Sequence, residues 1–177
     1  MKIAIDLRSA EGEKAGKGWF TFNIVREILK NDTENEYILY ARSGIAGFEE
    51  FKRVCFKVIS GKGPLWHLFV MRDLKKENID VFVAPSSFII PALMSVKKTK
   101  SIVVVHDMIA FLFPENHYMK AVLLERLLMK RALSKANKIL AVSENTKKDL
   151  IEKFRIDPDK IKIANCAAAE DFKVLDE

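Results

Sequence analysis

The sequence predicts an α/β domain built on a parallel sheet with helices on both faces. Short apolar runs rich in β-branched residues alternate with longer stretches whose apolar residues recur at helical spacing, as expected when crossover helices return each strand to the same edge. The 177 residues, 49% of them hydrophobic, are enough for one full core and too few for two ordinary domains. Residues 1–177 are therefore read as one domain.

The elements follow in order. The opening K-I-A-I-D predicts a strand over Ile3–Asp6, and a helix follows over Trp19–Lys30. Strands at Tyr37–Tyr40 and Val54–Ile59 precede a helix at Leu65–Glu77. Val81–Ala84 and Ser101–Val105 are short apolar runs, hence strands, and Tyr118–Ala136 is a long amphipathic helix. After the strand Lys138–Val142, Ser143 is a suitable N-cap for a helix over Glu144–Phe154. Asp157-Pro158 then forces a turn, because proline disfavours helix at the residue before it, and the strand Lys160–Ala164 closes the pattern.

Composition excludes several classes. Cys55 and Cys166 make no disulfide framework in a chain of this size, and no C-x-x-C or His/Cys ligand spacing predicts a metal site. Reduced thiols in a cytoplasmic protein are the expectation. The start MKIAIDLR lacks the apolar region and small-residue cleavage site of a signal peptide, and no run reaches transmembrane length. A net charge of +6 favours an anionic partner, whether phosphate ligand, membrane or nucleic acid. Nucleic acid is not expected, since no basic stripe with interleaved aromatics appears.

Candidate site residues lie at strand ends. The run VVVHDMIAFLFP leaves a buried strand abruptly at His106 and Asp107, and in an open parallel sheet ligands collect outside the carboxyl ends of the strands. His106 reads either as a core histidine satisfied by a backbone carbonyl or as a site residue. Asp107 either caps the following loop or accepts a proton from an acceptor hydroxyl. The first strand-to-helix loop, D-L-R-S-A-E-G-E-K-A-G-K-G-W-F, lacks both the G-x-G-x-x-G dinucleotide fingerprint and the G-K-[ST] of a P-loop. What remains is Gly16-Lys17-Gly18 at a helix N-terminus, where unpaired amides and the helix dipole favour an anion; a flexible glycine turn with a solvated lysine is the plainer reading. Ser86 and Ser87, after the strand ending at Ala84, read as acceptor hydrogen-bonders or as a polar turn.

The segment LSKANKILAVSENTKKDLIEKFRIDPDKIKIANCAAAEDFK closely resembles the end of the N-terminal domain in retaining glycosyltransferases of family 4, which have the GT-B architecture of two Rossmann-like domains. Ala136, Ile139, Val142, Ser143, Thr146, Asp149, Leu150, Pro158, Lys160, Ile161 and Asn165 stand at the family's motif positions. The Gly16/Gly18 loop and the H-D pair fit as well. Asn137 departs from the usual Asp, and Ala164-Asn165-Cys166 replaces the usual P-N-G turn.

The resemblance implies a Rossmann-like, acceptor-side half of a glycosyltransferase, with a C-terminal donor-binding domain outside this chain, and inactivity of this half alone. It implies a nucleotide-sugar donor carrying mannose or glucose, GDP-mannose being the family habit, a glycan or lipid-linked acceptor, and no metal or other cofactor. His106 would touch the transferred hexose, with Asp107 beside it, while Gly16, Lys17 and Gly18 would meet the donor phosphates. The front-face route to retention calls for charge stabilisation rather than paired carboxylates. A non-catalytic sugar or lipid-linked-acceptor subunit that recruits a separate catalytic chain is the alternative.

The helix HYMKAVLLERLLMKRALSKA raises a further expectation. On a helical projection Ala121, Val122, Leu128, Met129, Ala132, Leu133 and Ala136 form the sheet-facing side. Leu123, Leu124 and Leu127 lie among Lys120, Arg126, Lys130, Arg131 and Lys135 on the other. Leucines framed by cations predict peripheral contact with an anionic membrane, through Lys120, Leu123, Leu127 and Arg131. Packing under the Ile109–Phe113 loop or the absent domain is the competing reading.

Overall fold

The computed structural model describes residues 1–61, 63–94, 98–108 and 119–167, with 119–125 described as backbone only. One seven-stranded sheet runs in the order β3-β2-β1-β4-β5-β6-β7, every pairing parallel. Its strands are β1 (Lys2–Asp6), β2 (Glu36–Ala41), β3 (Val54–Val58), β4 (Val81–Ala84), β5 (Lys100–Val105), β6 (Lys138–Ala141) and β7 (Ile161–Ile163). The helices are α1 (Gly16–Asn31), α2 (Pro64–Lys76), α3 (Ile89–Leu93), α4 (Met119–Lys135) and α5 (Glu144–Phe154). Every predicted strand and long helix is present. Three short pieces were not predicted: α3 and the tight helical turns Arg8–Ala10 and Pro158–Lys160, all below the length at which periodicity is readable.

Strand alternation sorts the core into two layers. Ile5, Leu39 and Ala41 face α1 and pack on its Val25 and Leu29. Their neighbours Ala4, Tyr40 and Phe82 point the other way, onto Trp66, Val70 and Leu74 of α2. Ala84 is in register with Val103, and Val103 with Ile139, so the α2 side continues along the sheet. There Val103 and Ile139 meet Met129 and Leu133 of α4 and Leu150 of α5.

The two faces are therefore unequally covered. A right-handed crossover puts its helix on opposite faces according to the direction in which it steps; β1 to β2 and β2 to β3 step toward the β3 edge, whereas the crossovers from β3 onward run the other way. Among the described helices α1 alone covers its face, and Ile102 and Leu140 beyond it are only half-buried.

The carboxyl-terminal motif residues have structural duties. Ser143 Oγ accepts from the Thr146 amide at 3.1 Å, capping α5 as expected, and Arg155 ends that helix in the left-handed region at φ 52. Asn137 Oδ1 accepts from the Ser101 amide at 2.9 Å, while its own amide donates to the Ser101 carbonyl at 2.9 Å. A side-chain carbonyl oxygen suffices there, which explains why amide can stand for acid.

On α4, Met129, Ala132 and Leu133, and Ala136 just past its end, are buried on the side predicted to face the sheet. Lys120, Leu123 and Leu124 have side chains outside the described residues, as does the 109–113 loop. Leu127 is 60% exposed. Arg131, expected to face lipid, instead donates through Nε to the Ala92 carbonyl at 2.8 Å. Lys135 donates to the carbonyls of Ala92 and Met94, each at 3.1 Å. These cations close the carbonyl end of α3, the favourable place for positive charge on a helix.

The Asn137 pairing is testable. Asn137→Asp keeps an acceptor for Ser101 and should leave the urea midpoint nearly unchanged. Asn137→Ala leaves a buried amide unpaired and should cost about 1–3 kcal/mol in equilibrium unfolding.

Candidate functional site

The candidate residues lie at the carboxyl rim of the sheet, where α1 begins. Gly16 has φ 24, in the left-handed region where glycine is favoured, and a side chain on it would enter open space. Gly18 is needed for a different reason: a Cβ there would stand 2.5 Å from the Ser9 carbonyl oxygen. Ser9 is held in turn through a 2.8 Å bond from its hydroxyl to Thr21. Ala15 provides no side-chain cap, and no acid occupies the first turn of α1. Neither a side-chain cap nor a first-turn acid of its own thus occupies the opening of α1, which suits an anion.

The end of β5 meets this helix. Lys17 Nζ lies 3.4 Å from Asp107 Oδ2, and the Phe20 ring stands edge-on to His106 with centroids 4.7 Å apart. The predicted phosphate loop and the predicted H-D pair thus share one corner of the rim. His106 Nε2 donates to the Pro85 carbonyl at 2.8 Å, which leaves the lone pair on Nδ1. Burial holds the imidazole below its ordinary pKa, and the Lys17 charge acts in the same direction. A backbone carbonyl thus satisfies one nitrogen of His106, and the ring stands at the rim.

A second corner was not predicted. Asp6, 3% exposed, accepts Arg8 Nε at 2.9 Å and Nη2 at 2.6 Å, a bidentate pair. Arg8 also donates to His67 Nε2 at 2.9 Å and to Ser87 Oγ at 3.3 Å, and its guanidinium lies 3.9 Å from the centre of the Trp66 ring. Since His67 Nε2 accepts, Nδ1 carries the proton and donates to the Gly63 carbonyl at 3.2 Å. Burial first, then the Arg8 charge, lowers the His67 pKa. Ser87, read as an acceptor contact, is thereby tied to Arg8; Ser86 beside it is half-buried. The signal was available in D-L-R, a charged pair just beyond an apolar strand, the same pattern that marks His106 and Asp107.

The fold is that of a Rossmann-like domain, a class in which ligands bind outside the carboxyl ends of the strands. Residues 16–168 match the model of Glycosyltransferase Family 4, and the chain belongs to that family. Two solved structures share the fold. The apo lipopolysaccharide outer core galactosyltransferase WaaB aligns over 96% of this chain and 46% of its own at 15% identity and a TM-score of 0.56. A glycosyltransferase from Rickettsia africae ESF-5 aligns over 93% of this chain and 42% of its own, at 18% identity and a TM-score of 0.54. The chain thus spans less than half the length of either. A dTDP-glucose 4,6-dehydratase from Bacillus anthracis in complex with NAD aligns over 80% of this chain and 54% of its own, at 11% identity and a TM-score of 0.50. No curated protein matches.

Two tests follow from the geometry. Gly18→Ala would gain up to about 1 kcal/mol of helix propensity, yet it meets a backbone oxygen that cannot swing aside. Overpacking should win, lowering stability by about 1–3 kcal/mol in denaturant unfolding. The second concerns pH. His67 and His106 have folded pKa values below the ordinary 6.5, so on acidification the unfolded chain takes up protons first. Their contribution is complete above that value and is lost as pH falls through the folded values. Urea midpoints should therefore drop between neutrality and about pH 5, and a His67→Gln/His106→Gln variant should flatten that slope.

Proposed function

We propose that this domain is the acceptor-side half of a retaining glycosyltransferase that moves a hexose from a nucleotide sugar to a glycan or lipid-linked acceptor. The observation that carries the reading is the convergence of the α1 N-terminus on His106 and Asp107 at the carboxyl rim. An α-amino-terminal cluster of amides beside a lysine suits the charge that develops on a departing nucleoside diphosphate. His106 offers Nδ1 toward the transferred sugar, with ring orientation fixed by Pro85 and Phe20. Asp107 steadies Lys17. In this reading mannose carried on GDP is the preferred donor, no metal takes part, and a C-terminal Rossmann-like domain supplies most of the nucleotide contacts.

The complete enzyme provides the test. His106→Ala should lower kcat far more than it weakens nucleotide binding, and Lys17→Ala should lower kcat by about 10²-fold. Equal losses in kcat and nucleotide affinity for His106→Ala would reduce that residue to a structural part. Purified residues 1–177 should show no turnover with any nucleotide sugar, and robust turnover would overturn the division of labour. Acceptor binding in a complete protein that never turns over would favour the non-catalytic recruiting subunit instead.

A further inference from the structure

The outward face of α2 combines two features that a solvated helix does not need together. At about 100° per residue, Leu65, Leu68, Phe69, Arg72, Lys75 and Lys76 all project within about 65° of the direction opposite the buried side. That buried side is formed by Trp66, His67, Val70 and Leu74. Leu65, Leu68 and Phe69 are 55%, 53% and 49% exposed, and Arg72, Lys75 and Lys76 are exposed as well. The apolar residues occupy the first half of the helix, the cations the second.

Charge on this face is of one sign. The acids of the segment, Asp73 and Glu77, are turned inward. Asp73 accepts from the Tyr40 hydroxyl at 2.7 Å and from Lys57 at 2.6 Å. Glu77 pairs with Lys57 at 2.7 Å and Lys2 at 3.0 Å, which holds its carboxyl down to about 2. The outward cations thus have no acid of their own helix beside them. Among the described residues no helix is long and apolar enough to cross a membrane.

We infer that α2 is a docking face for an anionic lipid bilayer, with Leu65, Leu68 and Phe69 entering the acyl boundary and Arg72, Lys75 and Lys76 meeting lipid phosphates. A large apolar group beside a one-signed basic cluster on a single helix face is the arrangement of an interfacial helix. An acidic protein would account for the cations but not for the bulk of the exposed side chains; an apolar partner domain would account for the converse. The inference does not depend on the proposed transfer chemistry. It places lipid contact on α2 rather than on α4, whose Arg131 and Lys135 are engaged with α3.

Vesicle co-sedimentation of the chain tests it, using phosphatidylcholine alone and phosphatidylcholine mixed with phosphatidylglycerol. Wild type should bind only the mixed vesicles, and binding should weaken with salt. An Arg72→Gln/Lys75→Gln/Lys76→Gln variant should bind about 10²-fold more weakly, and Leu68→Ser/Phe69→Ser should also lose binding. Both variants change exposed side chains, and their thermal unfolding should match wild type. Leu127→Ser on α4 should bind as wild type does. Absence of wild-type binding to the mixed vesicles would overturn the inference, as would binding that survives both α2 variants or is lost through Leu127→Ser. Because the readout is binding and not turnover, its failure leaves the transferase reading to its own test.

Discussion

The constraint on which this domain depends is the reversal of strand order at β1. The chain leaves β1 toward β2 and β3, then returns to β4 on the other flank, and in doubly wound sheets such a reversal is where the loops part and a crevice can form. A gap at that place must be braced if its walls are to keep their positions. Asp6 and Arg8 do this from the end of β1, reaching Ser87 beyond β4 and His67 on α2. A buried ion pair is costly unless its geometry is good and its remaining donors are used. Here the bidentate carboxylate, the imidazole, the hydroxyl and the stacked Trp66 ring meet that condition.

Much of this was legible in the chain and some was not, for identifiable reasons. Strands such as Val81–Ala84 are apolar at both faces and could be read directly. The start of α1 reads as Trp19 rather than Gly16 because glycines argue against helix, although here Gly18 is required by the approach of Ser9. Asp6 and Arg8 stand out less in the sequence, because the legible phosphate-binding signal of that loop lies in its glycines. The bonds of Arg131 and Lys135 to α3 are invisible to a helical projection, which knows nothing of a neighbour itself too short to predict. Burial of α2 against Tyr40 and Phe82 likewise could not be phased from sequence without knowing which strands it crosses.

The first turns of α2 join two surfaces. Inward, Trp66 and His67 support Arg8; outward, Leu65, Leu68 and Phe69 meet their surroundings. Because α2 runs back along the sheet from the carboxyl end of β3, its apolar beginning is at the level of the rim and its basic end is at the opposite edge. A bilayer engaged by this face would therefore lie alongside the crevice mouth. An acceptor anchored in lipid could then reach the rim without leaving the membrane surface.

The two corners of the rim differ in how readily they yield. The Arg8 corner is buried, multiply bonded and suited to holding shape. Lys17 and Asp107 are a different kind of pair: their side chains are 54% and 41% exposed and 3.4 Å apart, and exposed pairs contribute little to stability. Such a pair costs little to separate. An anion arriving at the α1 N-terminus would compete for Lys17 with helix amides on its side, and the dipole that favours the anion does nothing for Asp107. Drawing Lys17 toward such an anion would take its charge away from Asp107, so the exposed pair beside His106 is the contact at this corner best placed to respond to a ligand.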